Sequence, residues 1–243
     1  MNINLSEIDH QRFGIVTAKA SLEGSEKVAE LTQWCTDRAV QMLIARCPTD
    51  ELALVQQLEQ DGCFLTDTLV YFSKRHIAAD EVTLPEGYTS RLAGADDATA
   101  VGTLAGLTFA GYFGHYHVDP NLDPRKADEV YLEWAAKSCS SAAVADAVIL
   151  IEHGEQIAAF ATLKVHGSHE FEGVLFGVHP AHQGKRLYHA LMQLSQNWAC
   201  ERGIAHMIVS TQITNLSVQK VWCRQGFEPS KSFYTFHKWF ATA

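Results

Sequence analysis

VLFGVHPAHQGKRLYHALMQLSQNWA, running from Val174 to Ala199, changes its hydrophobic period midway. Val174, Leu175, Phe176 and Val178 read as a buried strand that stops at Pro180; beyond it Leu187, Ala190, Leu191, Leu194 and Trp198 recur on one face of a helix. The stretch predicts a strand, a tight turn and a helix. The turn, Gln183-Gly184-Lys185, brings unpaired backbone NH groups, the positive end of a helix dipole and a lysine to one point. Such a point suits an anion, pyrophosphate among them.

The order V-x-P-x-x-Q-G-K ahead of an amphipathic helix resembles the acyl-CoA motif of the GNAT (Gcn5-related) N-acetyltransferases. The resemblance implies acetyl-CoA as co-substrate and no metal. It places the pantetheine along the backbone of Phe176, Gly177 and Val178, and the pyrophosphate within Gln183, Gly184, Lys185, Arg186, Leu187 and Tyr188. In the family pattern, Q/R-x-x-G-x-G/A, small residues stand where this chain has Arg186 and Tyr188. Small residues let a ligand approach the backbone, whereas Arg186 can add a charge-assisted contact to a phosphate. An ordinary solvated turn is the alternative.

Downstream, TQITNLSVQKVWCRQGF (Thr211 to Phe227) resembles the family pattern TQ-x-x-N-x-x-(A)-x-x-x-Y-x-x-x-GF. By that resemblance Asn215 contacts the cofactor, a role compatible with capping the next helix. Trp222 stands where the family carries the tyrosine that protonates the CoA thiolate. An indole NH donates a hydrogen bond without releasing a proton at neutral pH. Tyr188, Tyr234 and water remain as proton sources, and a weak or inactive homologue is the other reading. For the base, the family's habits single out Glu172, expected just before the strand, and His117. His117 lies in the loop GYFGHYHVDPNLDP from Gly111 to Pro124, whose prolines and glycines argue against regular structure. Asp119 can orient His117, receive a sugar together with His115 and Tyr116, or simply start an Asp-Pro turn. The pairs His166/His169 and His179/His182 lack a third ligand at metal spacing and read as exposed loop histidines.

The rest of the chain bounds these readings. It has 243 residues, 47% hydrophobic and 19% charged, with a net charge of −9. No global basic field invites nucleic acid or an anionic membrane, and no apolar run approaches the roughly 18 residues that span a bilayer. MNINLSEIDHQRF lacks the features of a secretory leader, so a cytoplasmic location is expected. The six cysteines have no CxxC spacing and read as reduced thiols.

Residues 1–80 carry a strand at Ile15–Ala18, a helix from Glu26 to Asp37, a strand at Val40–Ala45, a helix capped by Thr49 and a strand at Phe64–Phe72. That βαβαβ order implies a small open sheet, a partial copy of the later fold. Lys74 to Gly87 reads as the connector, dividing the chain into 1–80 and 81–243. From Tyr88 the order β α α β β β α β α β is that of the GNAT fold, an α/β (α+β) arrangement with a mixed central sheet flanked by helices. The final strand, Tyr234 to Phe240, sets Thr235, His237 and Trp239 on one face against Tyr234, Phe236 and Lys238 on the other.

FAGYFGHYHVDPNLDPRKADEVYLEW and SFYTFHKWF resemble the TDP-fucosamine acetyltransferase type. That resemblance implies an N-acetyltransferase for the amino group of a nucleotide-linked sugar, and a homodimer. An amino acid, polyamine or protein amine as acceptor, and a non-catalytic module that binds CoA or a nucleotide sugar, remain as alternatives.

Overall fold

The computed structural model describes residues 2–24 and 27–241. The first part of the chain runs β1 (Asn2–Leu5), α1 (Glu7–Phe13), β2 (Thr17–Ser21), α2 (Val28–Thr36), β3 (Met42–Pro48), α3 (Leu52–Gln60) and β4 (Phe64–Arg75). After an irregular connector come β5 (Tyr88–Leu92), α4 (Ala98–Thr108), the one-turn α5 (His115–Val118) and α6 (Pro124–Ser140). The chain then forms β6 (Ala147–His153), β7 (Gln156–His166), β8 (Glu170–Val178), α7 (Leu187–Cys200), β9 (His206–Gln212), α8 (Leu216–Arg224) and β10 (Glu228–Trp239). The elements follow the expected order, with β1, α1 and α5 added. The second helix begins at Val28, and Glu26, where it was expected to start, lies outside the described residues.

All ten strands share one sheet, in the order β1-β2-β3-β10-β4-β9-β8-β7-β6-β5. The small separate sheet expected from the first strands does not form. β10, the last strand made, inserts between β3 and β4, while β4 from the first part lies between β9 and β10. Two units of the same plan, β2-α2-β3-α3-β4 and β8-α7-β9-α8-β10, thus exchange their final strands. β2 with β3 and β8 with β9 are the parallel pairs; the other pairings are antiparallel.

Alternating side chains explain why the exchange holds. Phe236 of β10 is buried in the core made by α2, α3, β2 and β3, beside Leu31, Leu54 and Leu58. Phe72 of β4 is buried in the core of the second unit, beside Trp222 and Phe227. Each unit therefore completes its interior with a side chain supplied by the other. Thr49 does not cap α3; its hydroxyl shares a hydrogen bond with Ser232 Oγ of β10 at 2.6 Å, tying the exchanged strand to β3.

α7 buries Leu187, Ala190, Leu191, Met192 and Trp198 against the sheet, the face its period dictated. α4 and α6 cover the opposite face around Leu104, Ala105, Ala135 and Phe160. No helix among the described residues is long and apolar enough to cross a membrane.

Candidate functional site

β8 pairs with β9 only from Glu170↔His206 to Gly173↔Val209. β8 then continues to Val178 along β7, while Ser210, Thr211 and Gln212 of β9 pair with β4. The β9-facing edge of Val174–Val178 consequently has no strand partner among the described residues. A bulge marks the parting: Leu175 faces Thr162 and Gly173 faces Leu163, leaving Val174 as the extra residue. Leu175 N donates to Thr162 Oγ1 at 3.0 Å. Gly173 is required here, since a Cβ would stand 2.5 Å from the Phe176 ring and 2.9 Å from Met207 Cε.

A cleft of about 730 Å³ opens at this parting. Glu172, Phe176, Tyr188, Asn215 and Trp222 line it, together with Arg46, Asp67, Tyr112, His115 and Tyr116. The latter five come from the first unit and from the loop before α6.

The turn after β8 holds two left-handed residues, Gly184 at φ 77° and Arg186 at φ 63°. α7 starts at Leu187 with no side-chain cap, so no side chain competes for its first NH groups. Those groups and the unpaired strand edge are what an acyl-CoA pyrophosphate and pantetheine require, so the residues present fit the co-substrate. Lys185 Nζ donates to Tyr88 Oη at 2.9 Å, and Tyr88 Oη lies 2.7 Å from Nδ1 of His182. His182 is buried rather than an exposed loop residue; burial and then the Lys185 charge hold it below the usual histidine value. Gly177, Val178 and the turn residues Gln183, Gly184, Lys185, Arg186 and Leu187 do not line the cleft. A side chain at Gly177 would strike the Phe160 ring, and Val178 packs against the main core.

Trp222 Nε1 donates to Tyr188 Oη at 3.0 Å. The Tyr188 hydroxyl thus keeps its own proton, and burial raises the phenol above its ordinary value, which makes it a weaker acid than a solvated tyrosine. Asn215 accepts from Val218 N at 3.4 Å and donates to Thr211 Oγ1 at 3.0 Å while lining the cleft. Glu172 lies within β8 rather than before it, and its Oε2 is 2.9 Å from His166 Nε2.

The loop from Gly111 to Pro124 contains the turn α5, and this moves the expected roles. His117 caps its own turn, accepting from Gly114 N at 3.2 Å, and its Nε2 meets Asp128 Oδ1 at 2.9 Å outside the cleft lining. Asp119 is turned away from it and fully buried, with Oδ2 2.7 Å from His237 Nδ1 and 2.9 Å from Trp239 Nε1. His237 Nε2 lies 2.9 Å from His115 Nδ1. Tyr116 donates to Asp9 Oδ1 at 2.8 Å, and Asp9 pairs with Lys19 at 2.6 Å, locking the loop onto α1 and β2. Tyr234 points away from the cleft into the first unit's core.

Arg46, Asp67 and His237 were not singled out from the sequence. Arg46 is half-buried in the cleft wall, its backbone carbonyl accepting from Leu22 N at 2.9 Å and its guanidinium close enough to Asp67 to lower that carboxyl. Burial raises the Asp67 carboxyl, against the pull of hydrogen bonds from Gln212 and from Thr68 N. The signal for His237 was its place on one face with Trp239; nothing local joins that face to Asp119.

Residues 112–227 match the family model described as Acetyltransferase (GNAT) family. A spore coat polysaccharide biosynthesis protein, SpsD of Bacillus subtilis (strain 168), is 28% identical over 148 residues, 59% of this chain and 48% of that protein. The chain thus matches about half the length of that curated relative. Among solved structures, a GCN5-related N-acetyltransferase from Sphaerobacter thermophilus superposes with a TM-score of 0.68 at 13% identity, over 98% of this chain and 76% of that one. A tandem GNAT protein from the clavulanic acid biosynthesis pathway gives 0.65 at 14% identity, over 89% and 69%. A GCN5-related N-acetyltransferase from Kribbella flavida gives 0.62 at 15% identity, over 92% and 81%. At these identities the likeness is one of fold, and the fold is the one the sequence led us to expect.

Proposed function

We propose that this chain, whose residues 112–227 belong to the GNAT acetyltransferase family, transfers an acetyl group from acetyl-CoA to a primary amine. The observation that carries the reading is the unpaired edge of Val174–Val178 beside the uncapped start of α7. Acetyl-CoA supplies the activated acetyl group. The backbone of Val174–Phe176 and the amide of Asn215 hold its pantetheine arm, and the NH groups at the start of α7 with Arg186 hold its pyrophosphate. Tyr188, oriented by the Trp222 indole, is the phenol placed to protonate the departing thiolate. It replaces the tyrosine that Trp222 displaces, and the substitution need not abolish the chemistry.

The acceptor enters over the wall built by the first unit, where the guanidinium of Arg46, beside Asp67, favours an amine that also carries an anion. A nucleotide-linked amino sugar has that chemistry, and the name of the Bacillus relative is consistent with a sugar. The decisive test is calorimetric titration of acetyl-CoA into the protein and into Arg186→Glu, followed by turnover assays on amino-sugar nucleotides, amino acids and polyamines. Binding weakened by the charge reversal and turnover on one acceptor class support the reading. Saturable binding without turnover on any amine would instead favour a sensor built on the same fold, a reading motivated by Trp222 and Arg186.

A further inference from the structure

We infer that Lys185 is a strut and not a phosphate ligand: through Tyr88 and His182 it fastens the turn after β8 to the neighbouring strand ends, leaving Arg186 and the first NH groups of α7 to meet the anion. The inference rests on the reading of that turn as the acetyl-CoA pyrophosphate cradle.

The register brings the parts of the strut to one end of the sheet. Tyr88 opens β5 opposite His153, and His153 closes β6 opposite Gln156 at the start of β7. β8 leaves the sheet at the same end, its last residue Val178 lying opposite Ala159. Three side chains then join the turn to those ends. Lys185 Nζ donates to Tyr88 Oη at 2.9 Å and stands 5.5 Å from the centre of the Tyr88 ring, a cation over an aromatic face. Tyr88 Oη lies 2.7 Å from His182 Nδ1, and His182 Nε2 lies 3.3 Å from Gln156 Oε1.

Donors and acceptors agree along this path. An ammonium only donates, so the phenol oxygen accepts from Lys185 and has its own hydrogen left for the imidazole. Burial, then the charges of Lys185, His179 and His153, lowers His182 and favours the neutral ring, which can accept it. Tyr88 and His182 are both buried, and the Tyr88 ring packs on His153 at 4.6 Å. Releasing Lys185 would therefore take a donor from a phenol that has little water to replace it.

Arg186 is what the strut holds in place. Its φ of 63° is left-handed, a conformation that a residue with a Cβ keeps only where its neighbours impose it. Leu187, on one side, is buried in the main core; Lys185, on the other, is tied to Tyr88. The Arg186 side chain makes no hydrogen bond or ion pair among the described residues. Of the two cations in the turn, Arg186 is thus the one left for a phosphate.

The test is calorimetry on the whole chain with acetyl-CoA and with acetyl-pantetheine, which lacks the pyrophosphate. Tyr88→Phe keeps the ring and removes the oxygen; it should weaken acetyl-CoA about tenfold, the order of one hydrogen bond to a charged group, and leave acetyl-pantetheine unchanged. Lys185→Met should lose a similar factor, and the double variant no more than either alone, because the two residues act as one unit. Wild-type affinity in Tyr88→Phe beside a loss in Lys185→Met would make the lysine a phosphate ligand and overturn the strut, as would losses that multiply in the double variant. Amide hydrogen exchange over residues 182–187 of the ligand-free protein should quicken in both single variants; unchanged exchange would overturn the strut without reference to any ligand. A wild type that binds neither acetyl-CoA nor acetyl-pantetheine would sink the acetyl-transfer reading, while the exchange measurement would still decide the strut.

Discussion

The two exchanged units share a plan and differ in one length. β2 pairs with β3 along all five of its residues, from Thr17↔Met42 to Ser21↔Arg46, so no edge is left over. β8 pairs with β9 for four residues and runs on for five more. A parallel pair opens a cleft when one strand outruns its partner, as β8 does beyond the bulge at Val174. The first unit uses the same architecture differently: Arg46, where the β2 pairing of β3 ends, and Asp67, on its exchanged strand, line the cleft. On the proposed reading, one copy of the plan holds the donor and the other shapes where the acceptor sits.

The comparison can be broken at the exchanged strands. Phe236→Ala removes a side chain that the second unit lends to the first unit's core, and should cost about 3–5 kcal/mol. Because each unit needs the other's last strand, denaturant should still give one transition by circular dichroism and by tryptophan fluorescence. Two separated transitions would mean that the units stand alone.

Next in size, Gly173→Val places a branched side chain where β8 leaves β9. Overpacking against Phe176 and Met207 should cost about 1–3 kcal/mol and abolish acetyl-CoA binding by calorimetry. Arg46→Ala, on the other unit, should leave acetyl-CoA affinity unchanged and raise KM for an anionic acceptor about tenfold, since hydrogen bonds to charged groups contribute about 1.5–3 kcal/mol. An equal loss on neutral acceptors would show that Arg46 does not select charge.

The smallest effect concerns the lock between the loop and the first unit. Burial raises Asp9, but Lys19, Ser6 and Tyr116 more than offset it and bring its carboxyl below the ordinary 3.8. A lowered folded value stabilises the protein above the ordinary value, and that stability is lost as pH falls through the folded one. Denaturation midpoints should therefore drop as the medium is acidified through and below pH 4. Lys19→Met should flatten the dependence by under about 1 kcal/mol, because the lysine is partly exposed and screened.

The strand, turn and helix proposed to hold the donor were legible because their signals are local. Strand, turn, helix and Asn215 follow one another in sequence, and each announces itself through period, glycine or cap. β8 begins at Glu170, ahead of the expected start, so Glu172 falls inside it, and His182 was read as exposed, since hydrophobic period locates elements better than their ends or their loop contacts. The acceptor half depends on pairings that no local pattern encodes. His237 meets Asp119 across 118 positions, and β10 meets β3 only because β4 has moved aside. HVD was read as a histidine paired with its neighbouring aspartate, but Asp119 meets a histidine on another strand, and the cleft is lined by His115 and not by His117.

The exchange also has a consequence in time. β3 and β4 are both translated while the strand that must lie between them is still about 150 residues away, which at ~5–20 residues per second is a delay of roughly 8–30 s. During that interval the nascent first unit holds an open seam with two unsatisfied strand edges. The first unit is thus committed to waiting for the second, and must be kept from pairing with a neighbour on the same polysome until Glu228–Trp239 arrives to close it.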